Sequence, residues 1–142
     1  MEHHSISMLP MLLNVLRKKM MEEHRILLES YGLTQKHLDY LMLLNCHKSG
    51  LAQKDIVERI HLDKAHASRS LRELVEKGIL SKEDKKGYNN KYFLSNFGLE
   101  VSEKIKSQSL RIHQEVFSVL SEEEREQIEK IAKKLSDHIL DK

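Results

Sequence analysis

The sequence is poor in the residues that interrupt helices. Among its 142 residues it has one proline, five glycines and no tryptophan. Helix-forming residues make up much of the remainder, so the composition predicts a mainly α-helical protein. The single cysteine, Cys46, excludes an intramolecular disulfide and is typical of a protein from a reducing compartment.

Long hydrophobic runs are also missing. No apolar stretch approaches the roughly 20 residues of a membrane-spanning helix, and no signal-peptide pattern opens the chain. We therefore expect a cytoplasmic protein, and the length fits one domain, 1–142. The net charge of +2 is too small to indicate a partner. The basic charge is nevertheless concentrated in residues 51–98, which hold ten Lys/Arg and seven Asp/Glu.

The stretch from Asp63 to Gly78 has the pattern of a helix with one free polar face. Asp63 is a candidate N-cap, and Gly78 suits a helix end in the left-handed conformation. Its apolar residues follow helical spacing: Ala67, Leu71, Leu74 and Val75. The opposite face carries small, polar and basic residues, which a DNA major groove can accept: Lys64, His66, Ser68, Arg69 and Arg72. A solvated amphipathic helix would look the same, so this segment alone leaves both interpretations open.

The segments before this helix complete a helix-turn-helix pattern. A long helix is predicted over residues 6–30, with Pro10 separating a turn or extended arm before about residue 9. A second helix is predicted from Thr34 to about His47, and a short one over 52–60. A short helix joined by three or four residues to an amphipathic one is the arrangement of a helix-turn-helix.

After Gly78 the spacing of the apolar residues is no longer helical, and the new pattern predicts a β-hairpin. The strands are expected over 79–82 and 91–94, with glycine and asparagine between them where positive φ occurs. A hairpin directly behind a recognition helix is a wing. Its candidate contacts with phosphates and the minor groove are Lys85, Lys86, Tyr88, Asn89, Asn90 and Lys91. A long helix is then predicted from Ser95 to about Leu120, and a last one starts at Ser121 with an acidic first turn.

This order of elements resembles the MarR (multiple antibiotic resistance regulator) family over nearly the whole chain. The residues that carry the resemblance are Leu33-Thr34, Ala52-Gln53-Lys54-Asp55-Ile56-Val57, Asp63-Lys64, Ser68-Arg69, Leu74-Val75-Glu76-Lys77-Gly78-Ile79-Leu80, Leu94-Ser95 and Gly98. The resemblance implies a mainly α fold with a small β-hairpin wing. Residues 34–98 would form the winged helix-turn-helix DNA-binding region, and 6–33 and 99–142 the dimerisation helices.

The resemblance also implies a function. The expected protein is a sequence-specific transcriptional regulator, a repressor, that binds a pseudo-palindromic DNA operator as a homodimer. Members of the family are often released from DNA by a small-molecule effector. No cofactor is expected.

At three places the sequence differs from the family pattern, and these differences limit which residue roles can be carried over from the family to this chain. Ala52 stands where the family usually has a capping threonine, at a cost of about 1 kcal/mol. Lys86 and Tyr88 occupy the wing positions where the family usually has Asp and Arg, so the usual wing contact is not transferable and Lys91 or Asn89 could replace it. Cys46 lies in the second predicted helix, on a face we interpret as buried, so neither redox sensing nor a metal site is expected.

Two further sites are predicted from apolar patterning. The terminal helices have apolar stripes too long for the winged region to cover, and the candidate dimer interface is Val116, Phe117, Ile131 and Leu135. An effector pocket is expected where the first two helices meet the fifth, near Met11, Val15, Lys36, Tyr40 and Phe97.

No enzyme is indicated, because the chain has no glycine-rich phosphate loop and no HExxH or CxxC spacing. The competing interpretation is a helical dimeric scaffold whose winged domain no longer binds DNA. Arg69, Arg72 and the lysine-rich wing count against it.

Overall fold

The computed structural model describes residues 2–87 and 89–140, with side chains from residue 8 onward. The helices are α1 (Glu2–Ser30), α2 (Gln35–Cys46), α3 (Gln53–Ile60), α4 (Lys64–Glu76), α5 (Asn96–Val116) and α6 (Glu122–Leu140). The strands are β1 (Leu51–Ala52), β2 (Leu80–Lys82) and β3 (Lys91–Leu94). This confirms the predicted helical fold with a small wing. None of the helices in these ranges is long and apolar enough to cross a membrane.

The chain divides into two compact units between Gln108 and Ser109, so α5 contributes to both. The first unit contains the helix-turn-helix and the wing. Its core is formed by apolar side chains from α1 to α5 that are fully buried: Leu28, Leu41, Leu44, Ile56, Leu71, Leu74, Val101 and Ile105. Burial of the inner face of α4 holds that helix in place, and truncating Leu71 to alanine would cost about 2–5 kcal/mol.

The first helix continues through Pro10, so the predicted turn or arm before residue 9 is wrong. A proline inside a helix removes the bond that its own N–H would have donated, and its ring crowds the carbonyl four residues before it, so the helix continues there at a cost. The residues on both sides, Met8, Leu9, Met11 and Leu12, are strong helix formers, and their propensity favours continuation of the helix.

The wing belongs to an antiparallel sheet with the strand order β1-β3-β2. Leu51 pairs with Tyr92, and Leu80 pairs with Leu94. Strand β3 has its predicted bounds, whereas β1 was not predicted, because two residues carry no periodic signal. Its pairing with β3 brings the first turn of α3 beside the wing. Gly50 precedes β1 at φ +97°, where a Cβ would lie 2.9 Å from the carbonyl oxygen of Tyr92.

The ends of the short helices follow the predicted signals, with one exception. Asp63 caps α4 by accepting a hydrogen bond from the His66 backbone N–H at 2.6 Å, and Gly78 adopts φ +74°. Ala52 makes no side-chain cap to α3, as expected. The exception is His61, which ends α3 at φ +61°. A residue other than glycine is strained in this left-handed conformation, and nothing in the local sequence predicted the positive φ of His61.

The second unit contains the last part of α5 and all of α6. Helix α5 ends at Val116, before the predicted Leu120, and a 3-10 turn follows over Phe117–Val119. The start of α6 is a capping box, as predicted. Ser121 Oγ accepts from the Glu124 N–H at 3.1 Å, and Glu124 Oε1 accepts from the Ser121 N–H at 2.9 Å. Every described side chain of α6 is exposed.

Candidate nucleic-acid interface

The outer face of α4 is basic and open. Lys64, Ser68, Arg69 and Arg72 are exposed, whereas the opposite face of the helix is buried. Within residues 2–87 and 89–140 the charged groups of Lys64, Arg69 and Arg72 make no ion pair. Their donors are therefore available to an anionic partner.

His66 does not belong to this open face, which corrects its predicted position. The side chain is partly buried, and its Nδ1 lies 2.7 Å from the hydroxyl of Tyr40, a fully buried residue of α2. The two rings are nearly parallel, at 13°. His66 lies four residues before the buried Ser70, so its side chain is at the border between the buried and the open face of the helix.

Glu73 connects α4 to α2. Its carboxylate lies 2.8 Å from Nε2 of the buried His37 and 3.1 Å from Nζ of Lys36. These two hydrogen bonds lower the pKa of Glu73, that from His37 contributing most. Glu73, which is next to Arg72 in the sequence, is therefore already paired, and this limits its repulsion of a phosphate.

The wing is braced by its own side chains. Asn90 accepts from the Lys85 backbone N–H at 3.2 Å and donates to its carbonyl at 3.1 Å. Glu83 accepts from the Lys91 N–H at 2.8 Å and pairs with the Lys85 ammonium at 3.2 Å. These bonds, that from Lys91 first, lower the pKa of Glu83. Asn90 and Glu83 therefore support the hairpin tip from within the wing.

The other wing candidates are differently placed. Lys86, Asn89 and Lys91 are exposed, and Asn89 and Gly87 have the positive φ values that the turn pattern predicted, +66° and +117°. Tyr88 lies outside the described residues.

A cleft of about 240 Å³ lies between the start of α3 and the wing. Its lining includes three polar side chains that were not among the predicted contacts, Gln53, Lys54 and Lys82. Lys82 is also positioned over the ring of Tyr92, 5.2 Å from its centroid. Only the pairing of β1 with β3 brings these residues together, so no local pattern could have grouped them.

The predicted effector residues do not line the cavity found on α1 and α2. Tyr40 is fully buried, and Met11, Val15, Lys36 and Phe97 are exposed. A cavity of about 560 Å³ lies instead between Leu13, Leu16, Arg17, Met20, Met21, His24, Gln35, Leu38 and Asp39.

The remaining predicted residues are placed as follows. Within the second unit, Ile131 and Leu135 are exposed, and Val116 and Phe117 are partly buried.

Cys46 is exposed, so the expectation that it faces the core is wrong. It is the last residue of α2 and lies beyond the part of the helix that the core covers.

A helix-turn-helix followed by a hairpin, with an open basic face on its second helix, defines a winged helix-turn-helix protein. A sequence model described as the MarR family matches residues 31–87. The chain is 31% identical over 96 residues to an uncharacterized HTH-type transcriptional regulator, YdgJ of Bacillus subtilis (strain 168). That match covers 66% of this chain and 58% of the relative, less than two thirds of its length.

Two solved structures share the fold. A MarR transcriptional regulator from Methanosarcina mazei Go1 is similar with a TM-score of 0.81 and 18% identity, over 94% of this chain and 90% of that one. A putative MarR family transcriptional regulator from Listeria monocytogenes, complexed with 26mer DNA, gives a TM-score of 0.78 and 21% identity, over 91% and 87%. Residues 31–87 therefore match the MarR family, and the fold of the chain is similar to that of both solved structures.

Proposed function

We propose that this protein is a DNA-binding transcriptional repressor and not an enzyme. The observation that carries the proposal is the open basic face of α4, with Arg69 and Arg72 exposed and unpaired by any acid of the described residues. The Listeria regulator of similar fold was solved as a complex with 26mer DNA, which supports DNA binding by this protein. Bases would be contacted by α4 in the major groove, and phosphates by the wing.

Selection of bound DNA from a random pool tests this function. A regulator enriches a two-fold symmetric sequence, whereas a scaffold that has lost DNA binding enriches none. The double variant Arg69→Ala with Arg72→Ala should abolish enrichment. A matched double variant on α6, Lys133→Ala with Lys134→Ala, removes the same charge and should retain it.

We further propose that the protein binds DNA as a homodimer. Helix α6 carries an apolar stripe at helical spacing that its own unit leaves open: Ile128, Ile131, Leu135 and Ile139 are 38–66% exposed. An exposed stripe of this length marks a protein interface, and a second copy offers an identical stripe across a two-fold axis. Two α4 helices about 34 Å apart would then fit successive major grooves.

The oligomeric state tests this proposal directly. Light scattering after size-exclusion chromatography should give twice the chain mass at micromolar concentration. Ile131→Glu with Leu135→Glu should yield the monomer and weaken operator binding, whereas Lys130→Glu with Lys134→Glu changes charge beside the stripe and should leave the dimer. A folded wild-type monomer would contradict the proposal.

The cavity on α1 and α2 is our candidate effector site, in place of the five residues predicted from sequence. Its volume of about 560 Å³ is in the range of small-molecule sites. Leucine and methionine form most of its wall, and Arg17 and Asp39 add one charge of each sign. This chemistry suits a small, largely apolar molecule.

An environment-sensitive dye, anilinonaphthalene sulfonate, is a suitable probe because it combines apolar rings with one anionic group. Its fluorescence should rise with the wild type and not with Leu16→Trp, which fills the cavity. Leu110→Trp, at an exposed site on α5, is the matched control and should bind the dye normally. Equal fluorescence with all three proteins would exclude this cavity as the site.

A further inference from the structure

We propose that Tyr40 fixes His66 as the neutral tautomer with its proton on Nε2, and that this N–H selects the base it meets in the major groove. Tyr40 is thus a positioning residue, and His66 is the residue that contacts DNA. The inference rests on the proposed function and adds a specific role for a histidine that is not part of the open basic face.

The geometry holds His66 at two points. Its backbone N–H donates to the Asp63 carboxylate at 2.6 Å, and its ring Nδ1 is 2.7 Å from the Tyr40 hydroxyl. Tyr40 is fully buried and His66 only partly. The Tyr40 hydroxyl engages Nδ1, and the described residues provide no hydrogen-bond partner for the other ring nitrogen, Nε2.

The direction of the bond follows from its length and surroundings. A separation of 2.7 Å is the usual length for an O–H donor and lies at the short limit for an N–H donor, so it favours the phenol as the donor. Burial raises the pKa of Tyr40, so the phenol keeps its proton and can donate it. A hydrogen bond with Ser70 opposes that rise in the Tyr40 pKa, as expected when the serine donates to the phenol oxygen. The phenol proton is then directed to His66 Nδ1.

A neutral imidazole that accepts at Nδ1 must donate at Nε2. In the major groove guanine offers two acceptors, adenine N7 and thymine O4 one each, whereas the exposed group of cytosine is an amino donor. His66 held in this tautomer therefore discriminates against cytosine at the position it contacts. A histidine free to exchange tautomers would lose that preference.

Long-range proton–nitrogen NMR spectra of the full-length chain, labelled with nitrogen-15 and held at about pH 7.5, report the tautomer. The His66 signals are identified by their absence in His66→Gln. We expect the Nε2-protonated pattern in the wild type and a mixture of tautomers in Tyr40→Phe, which keeps the buried ring. Tyr31→Phe removes a hydroxyl that bonds Lys104 instead, and it should retain the wild-type pattern. An Nδ1-protonated His66 in the wild type would overturn the inference.

Selection from a random DNA pool gives the functional result. Tyr40→Phe and His66→Gln should each lose about tenfold preference at one symmetric pair of positions, with binding to random DNA unchanged. Tyr31→Phe should select the wild-type sequence. If the wild type enriches no sequence, the proposed function itself fails. If the wild type enriches one and both His66→Gln and Tyr40→Phe keep every preference, only the present inference fails.

Discussion

Nε2 of His37 lies 2.8 Å from Oε2 of Glu73, a contact that joins the buried face of α2 to α4. Nδ1 of the same ring accepts the backbone N–H of Thr34 at 3.1 Å, so it carries no proton. His37 is therefore neutral, and its Nε2–H is the donor to Glu73. Acquiring a second proton would break the bond to Thr34 at the start of α2.

This contact predicts an acid-sensitive fold. Burial, the largest effect, lowers the pKa of His37 below its ordinary value of 6.5. In the window below 6.5 the unfolded chain binds more protons than the folded one, so stability falls as the pH falls. The free energy of unfolding by urea should therefore decrease between about pH 7.5 and 5.5. Burial also lowers the pKa of His24, which adds to the same trend.

Substitution separates these contributions. His37→Gln should reduce the pH dependence of the unfolding free energy, and His24→Gln should remove part of what is left. His138→Gln, at an exposed position of α6, should behave as the wild type. A wild-type unfolding free energy that is the same at both pH values would exclude this role for His37.

Arg69 should contribute sequence preference. Its planar fork suits the two acceptors of guanine, and it is exposed near the start of α4. Arg69→Ala should cost roughly 1–3 kcal/mol in operator binding and relax preference at one symmetric pair of positions. Arg25→Ala is the control, because that guanidinium is already paired with Glu22 at 2.7 Å within α1. Competition binding against single-base operator variants measures the change.

The wing lysines should contribute affinity without sequence preference. Replacing Lys85, Lys86 and Lys91 by alanine should weaken operator and random DNA alike. The slope of the logarithm of the binding constant against the logarithm of the salt concentration should become shallower. The change should be at most about 0.9 for each phosphate that the variant no longer neutralises. Lys85 should contribute least, since Glu83 already pairs with it at 3.2 Å. Salt titrations on both DNAs test this, and a triple variant that loses discrimination while Arg69→Ala keeps it would reverse the two roles.

Gly98 should be required for the packing of α5 on the wing. A Cβ at this position would collide with the carbonyl oxygen of Ile79, a backbone atom that no side-chain rotation can move away. Gly98→Ala should therefore cost about 1–3 kcal/mol in urea unfolding. Gly78→Ala is the matched comparison, because its φ is +74° but open space surrounds it, and strain of the backbone alone costs about 1–2 kcal/mol. Finding Gly98→Ala no less stable than the wild type would disprove the packing role.

The sequence by itself determined most of the elements. Helical spacing located α4 and three of the four residues of its predicted buried stripe, Ala67, Leu71 and Leu74, whereas Val75 near the end of the helix is exposed. Alternation and turn residues located β3, and the caps at Asp63 and Ser121 lie where residue type alone placed them. These features were predictable because each depends on residues within one or two turns of the chain. The open basic face followed from the same local period.

The tertiary structure decided which side chains of α4 are open to a partner and which bond to α2. Tyr40 and His66 are 26 residues apart, and His37 and Glu73 are 36 apart, so no local period connects them. The two-residue strand β1 exists only because β3 provides its hydrogen-bond partners. Such contacts depend on how α2 packs under α4, which is set by the burial of the whole core and not by the pattern of either helix.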